Sequence, residues 1–262
     1  MAQLTTNNPW VLIPKPLPDA RLRLFCLPFA GGATTAYREW PEKIYPPVEV
    51  LLVELPGRGR RIREKLRTRM GGLIPELGEA LLPYLDKPFA FFGHSMGALL
   101  AFELSHFLQE RFRKQPVQLF LSGREAPHIS DLQEPFHLLP NDQLIAKLRQ
   151  LNGTPQEVLE NIELMELMLP IIRADFELCE TYQFFGKPPL TCPITVFGGY
   201  QDENVPVENL RQWEQHTQKN FRMHLLPGDH FFIYQSSDQF FYILNEELSA
   251  LLRTATLQVE QE

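Results

Sequence analysis

The stretch FFGHSMGALLAF, residues 91–102, constrains the fold of this chain more than any other. It carries Gly93, Ser95 and Gly97 between an apolar run over 89–92 and an apolar run of helical period. The Gly-x-Ser-x-Gly pattern alone is weak evidence, but a serine on a sharp turn from strand to helix is a nucleophile elbow. The turn is so tight that positions two before and two after the serine nearly touch, and only glycine-sized residues fit there. The strain holds the hydroxyl above the sheet edge, and the helix N-terminus stabilises negative charge beside it.

The rest of the chain supplies a sheet for that turn. Apolar runs over 21–29, 48–55, 89–93, 117–123, 194–199 and 221–226 read as strands. Most are apolar at successive positions, as expected of strands covered on both faces. Helical periods occupy 73–85, 95–112, 207–217 and 238–252. Alternation of this kind predicts an α/β fold, a mostly parallel sheet with helices on both sides.

Residues 124–190 break the alternation and hold no convincing strand. Thr154 and Glu157 form a capping box with Pro155 at the first helical position. An apolar stripe follows through Val158, Ile162, Met165, Leu169, Ile172, Phe176 and Cys179, in a helix that Pro170 should kink. We read this as a helical lid inserted into a single domain spanning 1–262, since long inserts in compact domains are often functional.

A serine hydroxyl needs a base. His230 follows the last strand, in LLPGDHFFI, and loops at the C-terminal ends of strands are where open α/β sheets build sites. His94 adjoins the serine but points along the strand, which suits a supporting role. The orienting carboxylate is expected on another strand-end loop, and FGGYQDENVP offers Asp202, with Glu203 and Asp229 as competitors. The order Ser95, Asp202, His230 is the one this architecture uses. An oxyanion needs backbone N–H donors. Met96, just after the serine, should provide one. The loop LFCLPFAGG should provide another, from Ala30 or its neighbour Phe29.

Composition narrows the function. The chain has 262 residues, 44% hydrophobic and 22% charged, with net charge −7, which argues against nucleic acid as the main partner. No apolar run approaches the roughly 20 residues of a membrane span, and the polar, proline-rich first 20 residues do not read as a secretory signal. Three widely spaced cysteines fit a reducing cytoplasm rather than a disulfide framework. Histidines and cysteines show no metal-ligand spacing, and no loop matches a phosphate-binding motif, so no cofactor is expected. We expect a monomer.

Taken together, LFCLPFAGG, VELPGRGRR, FFGHSMGALLAF, LFLSGREAPHI, FGGYQDENVP and LPGDHFFI resemble the type II thioesterases, which accompany nonribosomal peptide and polyketide synthetases. They are also similar to the medium-chain thioesterase of fatty acid synthesis. The resemblance runs from about Leu24 to Ile233. It implies an α/β-hydrolase fold with a mobile lid, and a substrate carried as an acyl thioester on the phosphopantetheine of a carrier protein. It further implies an editing role that clears wrong or stalled acyl groups. Ser95, Asp202 and His230 fall on the family's triad, Met96 and Ala30 on its oxyanion positions. Gly59 departs from the pattern, since many relatives carry an acidic residue after the PGR segment.

Two further expectations concern binding. Residues 58–69 hold seven basic residues, including Arg58, Arg60, Arg61 and Arg63, against Glu64 alone. Such a stripe on an acidic chain would steer an acidic carrier protein, or would simply be a solvated loop. Met165, Met168, Leu169, Ile172 and Phe176 are candidates to line an acyl pocket, with core packing as the alternative. A carboxylesterase or lipase, an acyltransferase, and a non-catalytic binding module on the same scaffold remain open at this point.

Overall fold

The structure is a computed structural model that describes residues 8–45, 47–129, 135–154 and 156–259. The strands are β1 (Val11–Leu12), β2 (Leu22–Leu27), β3 (Val48–Val53), β4 (Phe89–His94), β5 (Gln118–Ser122), β6 (Ile194–Gly199) and β7 (Phe221–Leu226). They form one sheet in the order β1-β3-β2-β4-β5-β6-β7. Every pairing is parallel except the edge strand β1, which runs antiparallel to β3. The sequence reading missed β1, because two residues inside a proline-rich leader give no periodicity.

The helices are α1 (Trp40–Lys43), α2 (Met70–Leu81), α3 (Met96–Phe112), α4 (Asn141–Leu151), α5 (Gln156–Glu160), α6 (Ile162–Glu180), α7 (Val207–Arg211), α8 (Phe232–Gln235) and α9 (Ser237–Val259). Side chains alternate across each strand. Phe25, Phe91, Leu119 and Val196 therefore join Leu77, Leu99 and Leu104 in one buried layer. Leu24, Phe92, Phe120 and Phe197 join Trp40, Phe240 and Leu244 in the layer on the other face. The long apolar runs of the sequence arise because both faces of these strands are covered.

The insert between β5 and β6 builds a third apolar cluster of its own, from Leu139, Leu144, Leu148, Leu159, Met165, Leu169 and Ile172. Its long helix starts later than the apolar stripe predicts. Asn161 interrupts the stripe and caps α6, its side-chain oxygen accepting the Leu164 N–H at 3.1 Å. α6 then runs on through Pro170 to Glu180. Position 155, the proline of the predicted capping box, lies outside the described residues.

Strand order decides where a site can form. From β2 the chain steps outward to β3, then returns to place β4 on the other side of β2 and continues to β5, β6 and β7. The loops leaving β2 and β4 diverge from adjacent strand ends, at Leu27 and Gly93. A crevice at such a reversal is the usual ligand site of an open α/β sheet.

Candidate active site

Ser95 stands between the C-terminal end of β4 and the first turn of α3, with φ 52° and ψ −114°. That conformation is strained for a residue with a side chain. The glycines explain how the chain accommodates it. A Cβ on Gly93 would lie 2.0 Å from the Gly97 carbonyl oxygen, and one on Gly97 would lie 2.4 Å from that of Leu27. The Ser95 N–H donates to the Ser122 carbonyl at 2.8 Å, tying the turn to β5.

His230 and Asp202 meet at the far side of the crevice. The His230 Nδ1 lies 2.8 Å from Asp202 Oδ2, and Asn204 N donates to the other carboxylate oxygen at 3.0 Å. A carboxylate against Nδ1 favours the tautomer with its proton there, which leaves Nε2 as the basic nitrogen. The local chain makes room for this pair. A Cβ on Gly199, at the end of β6, would lie 2.4 Å from the Asp229 carbonyl oxygen, so the turn before His230 folds back directly over the strand end. Asp229 is otherwise engaged, accepting from Asn152 and from the Phe231 N–H, while Glu203 is exposed.

Ser95 and His230 both line two neighbouring cavities. The smaller, about 40 Å³, also takes in Phe29, Ala30 and Phe176. The larger, about 830 Å³, extends past Arg124, His128, Tyr182 and Phe184 beneath the insert. Phe176 lines both, whereas Met165, Leu169 and Ile172 are buried in the insert's own cluster, with Met168 packed against it. Packing within the insert's own cluster, and for Ile172 also against the Gly31 loop, accounts for the burial of those four. The sequence stripe could not separate the helix face that meets the insert from the face that meets the cavity.

His94 is fully buried at the back of the site, its Nδ1 2.9 Å from Ser122 Oγ and its ring 5.1 Å from that of His230. Burial first, and the neighbouring His230 second, hold its pKa well below the ordinary histidine value. His94 is therefore neutral and places no competing charge beside His230. Phe29, His94 and Phe231 pack mutually at centroid distances of 5.1 to 6.0 Å, joining the loops after β2 and β7 to the end of β4.

The basic stripe is largely spent inside the molecule. Arg58 is 3% exposed and makes a two-pronged pair with Asp175 of α6, both N–O distances 2.7 Å. Arg61 is 5% exposed, stacked on Trp10 and paired with Glu64. Arg60, Arg67 and Arg69 pair with Glu54, Glu76 and Glu177. Arg58 and Arg61 are thus unavailable to a docking partner, and of the four arginines expected at a carrier contact only Arg63 has an exposed head without a role in this network. Counting charge within the run alone misses most of its partners, because Glu54 and Glu76 lie just outside it and Asp175 and Glu177 come from α6, more than 100 residues away. Gly59 also finds a reason here. Its φ is +51°, and a Cβ would lie 2.0 Å from a carboxylate oxygen of Glu54.

A parallel sheet with a reversal at its centre, a strained serine at the tip of the middle strand and a His–Asp pair across the crevice define an α/β-hydrolase fold. Comparison with known proteins sharpens the class. The chain belongs to the thioesterase family, matching the model described as "Thioesterase domain" over residues 22–248. It is 44% identical over 246 residues to a Brevibacillus parabrevis protein named linear gramicidin dehydrogenase, covering 93% of this chain and 94% of the relative. It is 40% identical over 252 residues to the gramicidin S biosynthesis protein GrsT of Aneurinibacillus migulanus, covering 96% and 98%. Among solved structures, the type II thioesterase BorB from the borrelidin biosynthetic cluster superposes with a TM-score of 0.84 at 36% identity, covering 91% of this chain and 97% of that one. The chain is a thioester hydrolase.

Proposed function

We propose that this enzyme removes acyl groups from the phosphopantetheine thiol of carrier proteins in nonribosomal peptide or polyketide synthesis, through an acyl-serine at Ser95. The observation that carries the reading is the shared crevice. Ser95 and His230 line the same cavities, and His230 is oriented from behind by Asp202. The family and the biosynthetic setting named for GrsT and BorB support the substrate class.

His230 Nε2 takes the Ser95 proton as the hydroxyl oxygen attacks the thioester carbonyl. The N–H groups of Met96 and Ala30 receive the oxyanion. The C–S bond breaks, the thiol leaves with the proton from His230, and water activated by the same imidazole hydrolyses the acyl-serine. Asp202 stabilises the imidazolium formed in each half. The work is done in a cytoplasmic setting on a carrier-bound chain that occupies the larger chamber. The insert over 124–190 serves as the lid of a single catalytic domain. The dehydrogenase in the relative's name is not carried over, because the loop after β2 has no dinucleotide-binding glycine pattern.

A direct test compares an acyl-pantetheine with its oxygen-ester counterpart, alongside a fluorophosphonate that labels activated serines. We expect preferential cleavage of the thioester and stoichiometric labelling at Ser95 that stops it. Preference for the oxygen ester would favour a carboxylesterase, and hydrolysis surviving complete labelling would remove Ser95 from the mechanism.

A further inference from the structure

The clamp between Arg58 and Asp175 lies outside the chemistry described above, yet it holds the loop that carries Ala30. Asp175 Oδ2 accepts the Gly31 N–H at 2.7 Å and an Arg58 Nη1–H at 2.7 Å, while Oδ1 accepts from Arg58 Nη2 at 2.7 Å. Arg58 Nη1 also donates to the Gly32 carbonyl at 3.0 Å. Both peptide groups flanking the Gly31–Gly32 step are thereby fixed by one ion pair. One turn earlier on α6, Ile172 presses on the same loop, and a Cβ on Gly31 (φ +74°) would lie 2.7 Å from Ile172 Cγ1. Asp175 is 1% exposed and Arg58 3%, and the buried Arg58 Nε finds no partner among the described residues. A salt bridge this dry is weak evidence of stabilisation, and an unmet buried donor adds a further cost.

We propose that Arg58 and Asp175 are positioning residues that make the oxyanion loop depend on the seating of α6. With α6 in place, the carboxylate pulls the Gly31 N–H toward the insert and fixes the peptide that follows Ala30, a residue that lines the same cavity as Ser95. When α6 lifts, the loop loses its anchor and the donor loses its aim. Opening of the insert and assembly of the oxyanion site are then one event, so a substrate is cleaved only after the insert has closed over it. The inference rests on the reading of Ser95 as nucleophile and Ala30 as an oxyanion donor.

The test uses the full chain with an acyl-pantetheine substrate, a matching acyl trifluoromethyl ketone that forms an oxyanion on the serine, and thermal melting. The variants are Asp175→Ala, Asp175→Asn and the double variant Arg58→Met with Asp175→Ala. The double variant removes the orphaned charge and should recover much of the Tm lost by Asp175→Ala. Its kcat should stay about 10- to 100-fold below wild type with KM within about two-fold, because a misaimed donor acts on the transition state. Ketone affinity should fall by the same factor as kcat/KM. Recovery of kcat and ketone affinity together with Tm would overturn the proposal and leave a structural staple. Should the double variant not fold, Asp175→Asn decides. It keeps an acceptor for the Gly31 N–H, so its kcat should exceed that of Asp175→Ala, and equal values would overturn the proposal. Ser95→Ala assayed in parallel separates the two levels, since activity in that variant would sink the nucleophile assignment, whereas an inactive Ser95→Ala beside a fully active double variant sinks only the clamp.

Discussion

At the residue scale, each proposed chemical group stands at a fixed offset from a strand end, which is the feature by which the sequence nominates it. Ser95 follows β4 directly, Asp202 lies three residues beyond β6 and His230 four beyond β7. Geometry also separates roles that sequence left open among the carboxylates. Asp202 faces Nδ1 of His230, while Asp229 is spent on Asn152 and the Phe231 amide. Asp202→Asn keeps the shape but favours the wrong tautomer, and kcat at neutral pH should fall about 10⁴-fold with little change in Tm. A fall of less than about ten-fold in steady-state thioester hydrolysis would contradict the assignment. The Arg58–Asp175 pair was invisible beforehand, because its partners lie 117 residues apart. An arginine in a run of basic residues and an aspartate in a helix carry no mark of each other.

At the scale of elements, the elbow is set by its glycines and the insert by its caps. Gly93→Ala drives a methyl into the Gly97 carbonyl, and backbone has no rotamer with which to yield. We expect Tm to drop by roughly 5 °C or more, with thioesterase activity lost in the folded fraction, as circular dichroism and assay would show. An unchanged Tm would mean the turn is looser than its φ of 52° implies. Asn161→Ala removes the cap of α6 and should cost about 1 kcal/mol in denaturant unfolding. Strand and helix types were readable because both faces of the sheet are apolar and the helices have a clear period. The start of α6 was not, since Val158, Ile162 and Met165 keep helical spacing on either side of Asn161, and nothing in that spacing marks Asn161 as the cap that begins a new helix. β1 was not readable either, because two residues are too few to show a strand period.

At the scale of the whole molecule, three histidines are buried in neutral form. Burial is the leading cause of each shift, holding His94 well below its ordinary value and bringing His106 and His216 to about 4. Their unfolded counterparts take up protons near pH 6.5. As pH falls from about 6.5 toward 4, the unfolded chain binds protons that the native one refuses, so stability declines. The depressed carboxyl groups of Glu64, Asp229 and Glu247 act in the same direction at still lower pH. Tm measured from pH 7.5 to 4.5 should therefore drop steadily below about 6.5, and a flat profile would contradict this account of the core. The central claim is that the reversal at the middle of the sheet brings a serine, an imidazole and a carboxylate to bear on a carrier-bound thioester. Intact-mass analysis of an acyl-loaded carrier protein, incubated with wild type or Ser95→Ala, tests it most directly. Loss of the acyl mass to give the free phosphopantetheine thiol with wild type alone is the result expected. Loss with both proteins, or with neither, would contradict it.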